Sequence, residues 1–259
     1  MTSTIHGFPG SPRPSFPLLP ERRTQLRLVR QVQDPARLRE SDLAWSTRER
    51  LRRPLNLVVA GAGLVVVAPL MLLIAVAIRL TSRGPVFYVQ ERVGLDRRRG
   101  RSASIGHRRR DDTGGRTFTI YKFRTMCVDA EQGSGAVWCA ANDPRVTPLG
   151  KVLRRTRLDE LPQLLNVLKG DMNIVGPRPE RPQIFAELRQ QIDGYALRQR
   201  TRPGITGLAQ VHLAYDQNLD TVRHKVRYDL AYIKRQSLLE DLRIMLRTLP
   251  VMVFRRGGW

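Results

Sequence analysis

Asp159 and Glu160 are adjacent carboxylates in a chain of 259 residues whose formal net charge is +22, and Arg154, Arg155 and Arg157 stand just upstream. Leu161, Leu164, Leu165 and Leu168 follow at helical spacing, Pro162 suits a first turn, and Lys169-Gly170 reads as a stop. The pair is therefore predicted at a helix N-terminus, where the backbone dipole and unpaired N–H groups favour negative charge. At least one carboxylate should be ionised, and such a group can attack phosphorus or ligate magnesium. Taken alone the pair says little, because acids at helix starts more often serve only as caps.

Other cations supply context. In a strand over residues 118–126 the two-residue period puts Lys122 and Arg124 on one side, with Tyr121 and Phe123 on the other. Two converging cations suit a pyrophosphate; a solvated strand face is the plainer use. Arg178 lies between Pro177 and Pro179, and Arg202 precedes Pro203, so each sits on restricted backbone that could present a fixed guanidinium to a phosphate or merely build a turn. Grouped with Arg154, these cations would surround a charged transition state, where fixed charges act strongly.

The elements that must position them form one catalytic domain with appendages, since 41% hydrophobic residues can supply a core. Residues 1–50, rich in proline and arginine, read as a disordered basic tail. Residues 38–51 within it could instead form a helix on a membrane surface, because arginines there alternate with Leu43, Trp45 and Leu51. Residues 57–78 carry no charge and meet the roughly 20-residue requirement for crossing a bilayer. Pro69 interrupts them, and Arg48, Arg50, Arg52 and Arg53 flank one end, Arg79 and Arg83 the other. Basic residues at both ends favour a helix that bends at Ala68-Pro69 and returns to its face of entry; on charge alone a kinked spanning helix is the equal alternative.

Strands over 86–90 and 118–126 flank an arginine-rich insert, residues 95–116, that could bind anionic lipid headgroups or be a tolerated insertion. Thr147 caps a helix starting at Pro148, another helix covers 220–233, and Ser237 with Glu240 makes a capping box. The box opens a helix carrying Leu238, Leu239, Leu242, Met245, Leu246 and Leu249 and ending near Pro250. The positive charge points to phosphates, nucleic acid or acidic lipid without choosing among them. Cys127, Cys139 and the scattered His6, His107, His212 and His224 fit neither a zinc site nor a disulfide framework, so a reducing compartment is expected. Residues 1–20 lack the apolar core of a signal peptide.

The motifs, taken in order, resemble those of the bacterial monotopic phosphoglycosyl transferases, or polyprenyl-phosphate sugar-1-phosphate transferases. They are Thr81-Ser-Arg-Gly-Pro-Val-Phe-Tyr88, Gln90-Glu-Arg-Val-Gly94, Phe118-Thr-Ile-Tyr-Lys-Phe-Arg-Thr-Met126, Asn142-Asp-Pro-Arg-Val-Thr147, Leu158-Asp-Glu-Leu-Pro-Gln-Leu-Leu-Asn-Val-Leu-Lys-Gly-Asp-Met172, Val175-Gly-Pro-Arg-Pro-Glu180 and Arg202-Pro-Gly-Ile-Thr-Gly-Leu-Ala-Gln-Val211. The resemblance covers almost everything from Leu55 onward.

It implies an α/β fold: a small, mostly helical catalytic domain over 83–259 with a short β element, one re-entrant membrane helix over 51–82 and interfacial amphipathic helices. It implies transfer of sugar-1-phosphate from a UDP-sugar to undecaprenyl phosphate at the cytoplasmic face of the bacterial inner membrane, releasing UMP. That step begins exopolysaccharide or other surface-glycan assembly, which downstream glycosyltransferases would continue. By the same resemblance Asp159 is the nucleophile and Glu160 holds Mg2+, with Asp229, in Tyr228-Asp-Leu-Ala-Tyr232, as a further acid of the metal site. Anionic lipid headgroups are expected partners and nucleic acid is not. The chain departs from relatives in carrying Ala68-Pro69 where well-studied members have Ser-Pro, and in its arginine-rich insert. Nothing local selects one hexose over another, and oligomeric state is not legible. The competing class is a non-catalytic, membrane-tethered basic module, whose binding would be steeply salt-dependent and indifferent to Asp159.

Overall fold

The computed structural model of the chain describes residues 46–97, 115–128, 130, 143–213 and 219–254. The tail before Ser46, most of the arginine-rich insert and Cys139 lie outside them.

The apolar run forms most of α1 (Ser46–Thr81), a 36-residue helix that continues through Pro54 and Pro69. Its first described residues, 46–50, fall within the stretch read as tail. At 1.5 Å per residue its path is about 54 Å long, against roughly 30 Å of bilayer hydrocarbon. Residues 51–81 are long and apolar enough to cross a membrane by length and composition. Both ends nevertheless pack on the same domain. Ala60 is buried with Ile120, Val167 and Met172, and Ile74 and Ile78 are buried with Phe123 and Leu153. Between these anchors Val65, Val66, Leu70, Leu72 and Leu73 are exposed, so apolar surface stays unburied around Pro69.

The expected strands pair antiparallel as β1 (Phe87–Val93) and β2 (Thr117–Phe123), Phe87 opposite Phe123 and Val93 opposite Thr117. β1 runs three residues further than its apolar pattern suggested, and β2 stops before Arg124. A second pair escaped the sequence reading: β3 (Asn173–Val175) lies parallel to β4 (Gly204–Thr206). Three-residue strands are too short for periodicity to show. Their pairing sets the two arginine-proline loops side by side at backbone contact. A Cβ on Gly204 would stand 2.0 Å from the Gly176 nitrogen, and one on Gly207 2.2 Å from the Gly176 oxygen. Because the obstacle is backbone, Gly204→Ala is expected to destabilise the chain by about 3 kcal/mol or more, visible as a lowered thermal midpoint. An unchanged midpoint would contradict this packing.

The remainder is helical: α2 (Pro148–Arg155), α3 (Gln163–Lys169), α4 (Pro182–Gln191), a 3-10 segment Tyr195–Arg200, α5 (Leu208–His212), α6 (Leu219–Arg235) and α7 (Leu238–Phe254). Thr147 Oγ1 caps α2 by accepting from the Gly150 N–H at 3.0 Å, and Ser237 Oγ caps α7 by accepting from Glu240 N–H at 3.2 Å. The largest core joins α4, α5 and α6 to Ile244 of α7. α7 passes Pro250, where the expected helix ended. Its leucines at 238, 239, 242, 246 and 249 face outward, while Asp241 and Ile244 face in. Among the described residues the fold is thus mostly helical, with two short two-stranded sheets and one long apolar helix.

The basic flank of α1 does something composition cannot foretell. Arg52 is 1% exposed and reaches across the fold. Its Nε donates to Asp241 Oδ2 at 2.6 Å, Nη1 to Glu49 Oε2 at 3.1 Å and Gln236 Oε1 at 2.9 Å, and Nη2 to the Val175 carbonyl at 2.8 Å and to the Tyr232 hydroxyl. Arg53 donates to the carbonyls of Val167 and Leu168 at the C-terminal end of α3, where cations are favoured. These arginines lock α1 to the domain.

Candidate active site

The acid pair does not open a regular α-helix, as its leucine spacing suggested. Pro162 has no N–H to return to the Leu158 carbonyl, so the Leu161 N–H takes it at 3.3 Å and residues Leu158–Glu160 close as a 3-10 turn. α3 starts afresh, with Leu165 N–H bonded to the Pro162 carbonyl at 3.0 Å. Arg157, immediately before the turn, has φ 61° and ψ 12°, the one non-glycine residue at positive φ among those described. That conformation costs about 1–2 kcal/mol and persists where surroundings over-determine it. Here it aims both acids inward.

The two carboxylates are treated differently. Glu160 Oε1 accepts from Lys122 Nζ and from Arg178 Nη2, each at 2.8 Å. Asp159 is equally buried, yet among the described residues its carboxylate makes no hydrogen bond or ion pair. Burial disfavours charge on both. For Glu160 it is outweighed by Arg178, Lys122 and Arg157, which hold its carboxyl well below the usual range. For Asp159 burial prevails over Lys122, and the neighbouring Glu160 charge adds to it, so this carboxyl is raised. Environments that push two acids apart assign them different tasks. Lys122 is itself lowered by burial, against the pull of Glu160.

Of the five predicted phosphate-site cations, three act on the acid pair: Lys122 and Arg178 by contact, and Arg154 through its charge on Asp159. Arg124 goes elsewhere. β2 ends at Phe123, so the two-residue period fails to carry it to Lys122's side. It donates instead to the Ser82 carbonyl at 2.9 Å, to Ser82 Oγ at 2.7 Å and to the Arg83 carbonyl, gripping the turn after α1. Arg202 also turns away, donating to the Gly170 carbonyl at 2.9 Å and pairing with Glu49 of α1. Asp229 pairs with Arg198 at 2.8 Å.

Asn166 was missed, hidden among leucines. It is fully buried on α3; its Oδ1 accepts from the Tyr121 N–H at 3.1 Å and its Nδ2 donates to the Thr119 carbonyl at 2.7 Å. The side chain thereby completes the edge of β2 away from β1 and fixes the strand that carries Lys122. Its signal was a polar residue at the buried spacing of an apolar helix. Asn166→Leu strands two backbone groups and is expected to cost about 2–4 kcal/mol in denaturant unfolding; a change under about 0.5 kcal/mol would refute the edge role.

Residues 47–255 match the sequence pattern described as Bacterial sugar transferase. The chain is 41% identical over 208 residues to the UDP-N-acetylgalactosamine-undecaprenyl-phosphate N-acetylgalactosaminephosphotransferase of Aeromonas hydrophila, an alignment covering 80% of this chain and 45% of that protein. It is 40% identical over 204 residues to the UDP-glucose:undecaprenyl-phosphate glucose-1-phosphate transferase of Caulobacter vibrioides, covering 78% of this chain and 69% of that one. With the exopolysaccharide production protein ExoY of Rhizobium meliloti it shares 34% identity over 222 residues, 80% of this chain and 88% of the relative. The chain thus spans less than half the length of the Aeromonas protein and most of the Rhizobium one. The match runs through every element that builds the acid pair and its cations, and the chain belongs to the bacterial sugar transferase family.

Proposed function

We propose that the chain transfers a sugar-1-phosphate from a UDP-sugar to undecaprenyl phosphate through a covalent phosphosugar on Asp159, initiating exopolysaccharide or other surface-glycan assembly. The observation that carries this reading is the division within the acid pair, Glu160 tethered by two cations and Asp159 buried without a tether. A carboxylate free of ion pairs and raised in basicity is a competent nucleophile. An Asp159 oxygen attacks the sugar-bearing phosphorus, the bond to UMP breaks, and UMP departs with the electron pair. An oxygen of undecaprenyl phosphate then attacks the same phosphorus and Asp159 leaves as carboxylate. Lys122, Arg154 and Arg178 offset the charge on the phosphates throughout. The relatives' names describe transfer of this class.

Glu160 suits Mg2+, which takes one or two carboxylates together with substrate phosphates. Both of its ion pairs fall on Oε1, so Oε2 is the oxygen to offer such an ion. Asp229, the other acid expected at the metal, is buried and paired with Arg198, so serving as a ligand would require it to give up that pair. When bound, the ion would neutralise the diphosphate and ease departure of the leaving oxygen.

In this reading α1 enters the cytoplasmic leaflet of the inner membrane and returns, an arrangement supported by two ends packed on one domain and an exposed middle at Pro69. The outward leucines of α7 would lie in the interface, with basic residues meeting anionic headgroups. The site then sits where a soluble donor and a lipid acceptor both reach it.

The test is UMP release from a panel of UDP-hexoses and acetamido UDP-sugars with undecaprenyl phosphate in lipid nanodiscs. At least one donor should give Mg2+-dependent UMP and a lipid-linked sugar; no product from any donor would refute the reading. The pH profile has a defined sign. Asp159 reacts ionised and burial raises its pKa, so kcat should climb with pH along a limb above the ordinary aspartate range. Lys122 opposes that rise, so Lys122→Met should move the limb to still higher pH; a limb that moves down would contradict the assignment.

A further inference from the structure

Asp229 lies on α6 and Arg198 on the 3-10 segment before β4, each 2% exposed. Arg198 uses its whole fork. Nε donates to Asp229 Oδ2 at 2.8 Å, Nη1 to the Tyr195 hydroxyl at 2.8 Å, and Nη2 to the Arg178 carbonyl at 3.1 Å. Arg178 in turn donates from Nη2 to Glu160 Oε1. On the next peptide the Pro179 carbonyl accepts from Arg92 Nη1 at 3.1 Å. Consecutive carbonyls of the Gly176-Pro-Arg-Pro-Glu180 loop are thus gripped by guanidiniums from two different elements.

A buried ion pair contributes little net stability, because desolvation offsets its attraction. Its geometric consequence is larger. A planar fork fixed at one corner by a carboxylate and at another by a phenol can hold a carbonyl in one place, which a flexible ammonium cannot. Resting on the function proposed above, we infer that Asp229 is a positioning residue: through Arg198 it holds the Arg178 backbone so that the Arg178 guanidinium meets Glu160.

Asp229→Asn alone leaves Arg198 buried without its partner and risks unfolding, so the decisive variant replaces both residues, Arg198→Met with Asp229→Leu, in the full chain in nanodiscs. Two readouts are needed. The first is hydrogen exchange at the amides of Gly176, Arg178 and Glu180, the residues of the loop that carry a backbone N–H; it requires no turnover. Exchange should accelerate in the double variant while the thermal midpoint stays near that of the parent. The second is a cycle with Arg178→Ala. Replacing the pair should lower UMP release about a hundredfold in the parent, the scale of a roughly 1 Å misplacement, and within about twofold when Arg178 is already gone. Equal losses in both backgrounds would mean that Asp229 acts independently of Arg178, and an unaltered loop exchange would mean that the clamp does not exist; either overturns the inference. If the parent releases no UMP, the proposed reaction fails, and the exchange experiment still decides the clamp.

Discussion

Asp159→Asn should eliminate UMP release, by on the order of 10⁴- to 10⁶-fold as in other nucleophile deletions, while the protein stays folded. The substitution keeps shape and burial and replaces the anionic oxygen that attacks phosphorus with a neutral, weakly nucleophilic amide. It also removes a carboxyl whose charged form burial disfavours, and among the described residues no partner loses a hydrogen bond with it. The thermal midpoint should therefore hold or rise slightly. Glu160→Gln must behave differently, since it withdraws charge from Lys122 and Arg178 together, and both activity and stability should fall. Turnover by Asp159→Asn near the parent rate would remove Asp159 as nucleophile. A collapse of its fold would show that the acid is structural.

The second large effect is on stability. Arg52→Ala should destabilise the full chain by about 3–5 kcal/mol, the usual result of removing one partner from a buried ionic network. Asp241 and Glu49 would stay buried without their shared cation, and the Val175 carbonyl and Tyr232 hydroxyl would lose a donor. Arg52→Lys should recover only part, because an ammonium cannot serve acceptors spread around a planar fork. Arg79 offers the control: it flanks the same apolar run, is exposed, and among the described residues donates only to the Gly84 carbonyl at 2.9 Å. Arg79→Ala should shift unfolding by under about 0.5 kcal/mol. Equal effects from both substitutions, measured by thermal unfolding in nanodiscs, would mean that the flanks act as simple membrane-side charges.

What was legible in the sequence is what local spacing encodes. Lys122 and Arg178 meet Glu160 of the acid pair, although the pair closes a 3-10 turn where a regular helix was expected, and Thr147 and Ser237 cap the helices expected of them. Errors came where a local rule needed a distant fact. The period that grouped Arg124 with Lys122 holds only while the strand lasts, and β2 ends one residue too soon. Arg202 looked like a second phosphate fork because nothing in its loop announces Glu49, which precedes it by 153 residues. Arg52 read as a membrane flank for the same reason, its Asp241 partner lying 189 residues away. Asn166 was overlooked because its partners are backbone groups of another element, which leave no mark in side-chain pattern.

Intact-mass analysis of the full chain after exposure to an accepted UDP-sugar, with acceptor withheld, tests the central claim most directly. The account predicts a mass gain of one phosphosugar, mapped to Asp159, absent from Asp159→Asn and discharged when undecaprenyl phosphate is added. Lipid-linked product accumulating without an adduct at any stage, or an adduct on another residue, would contradict it.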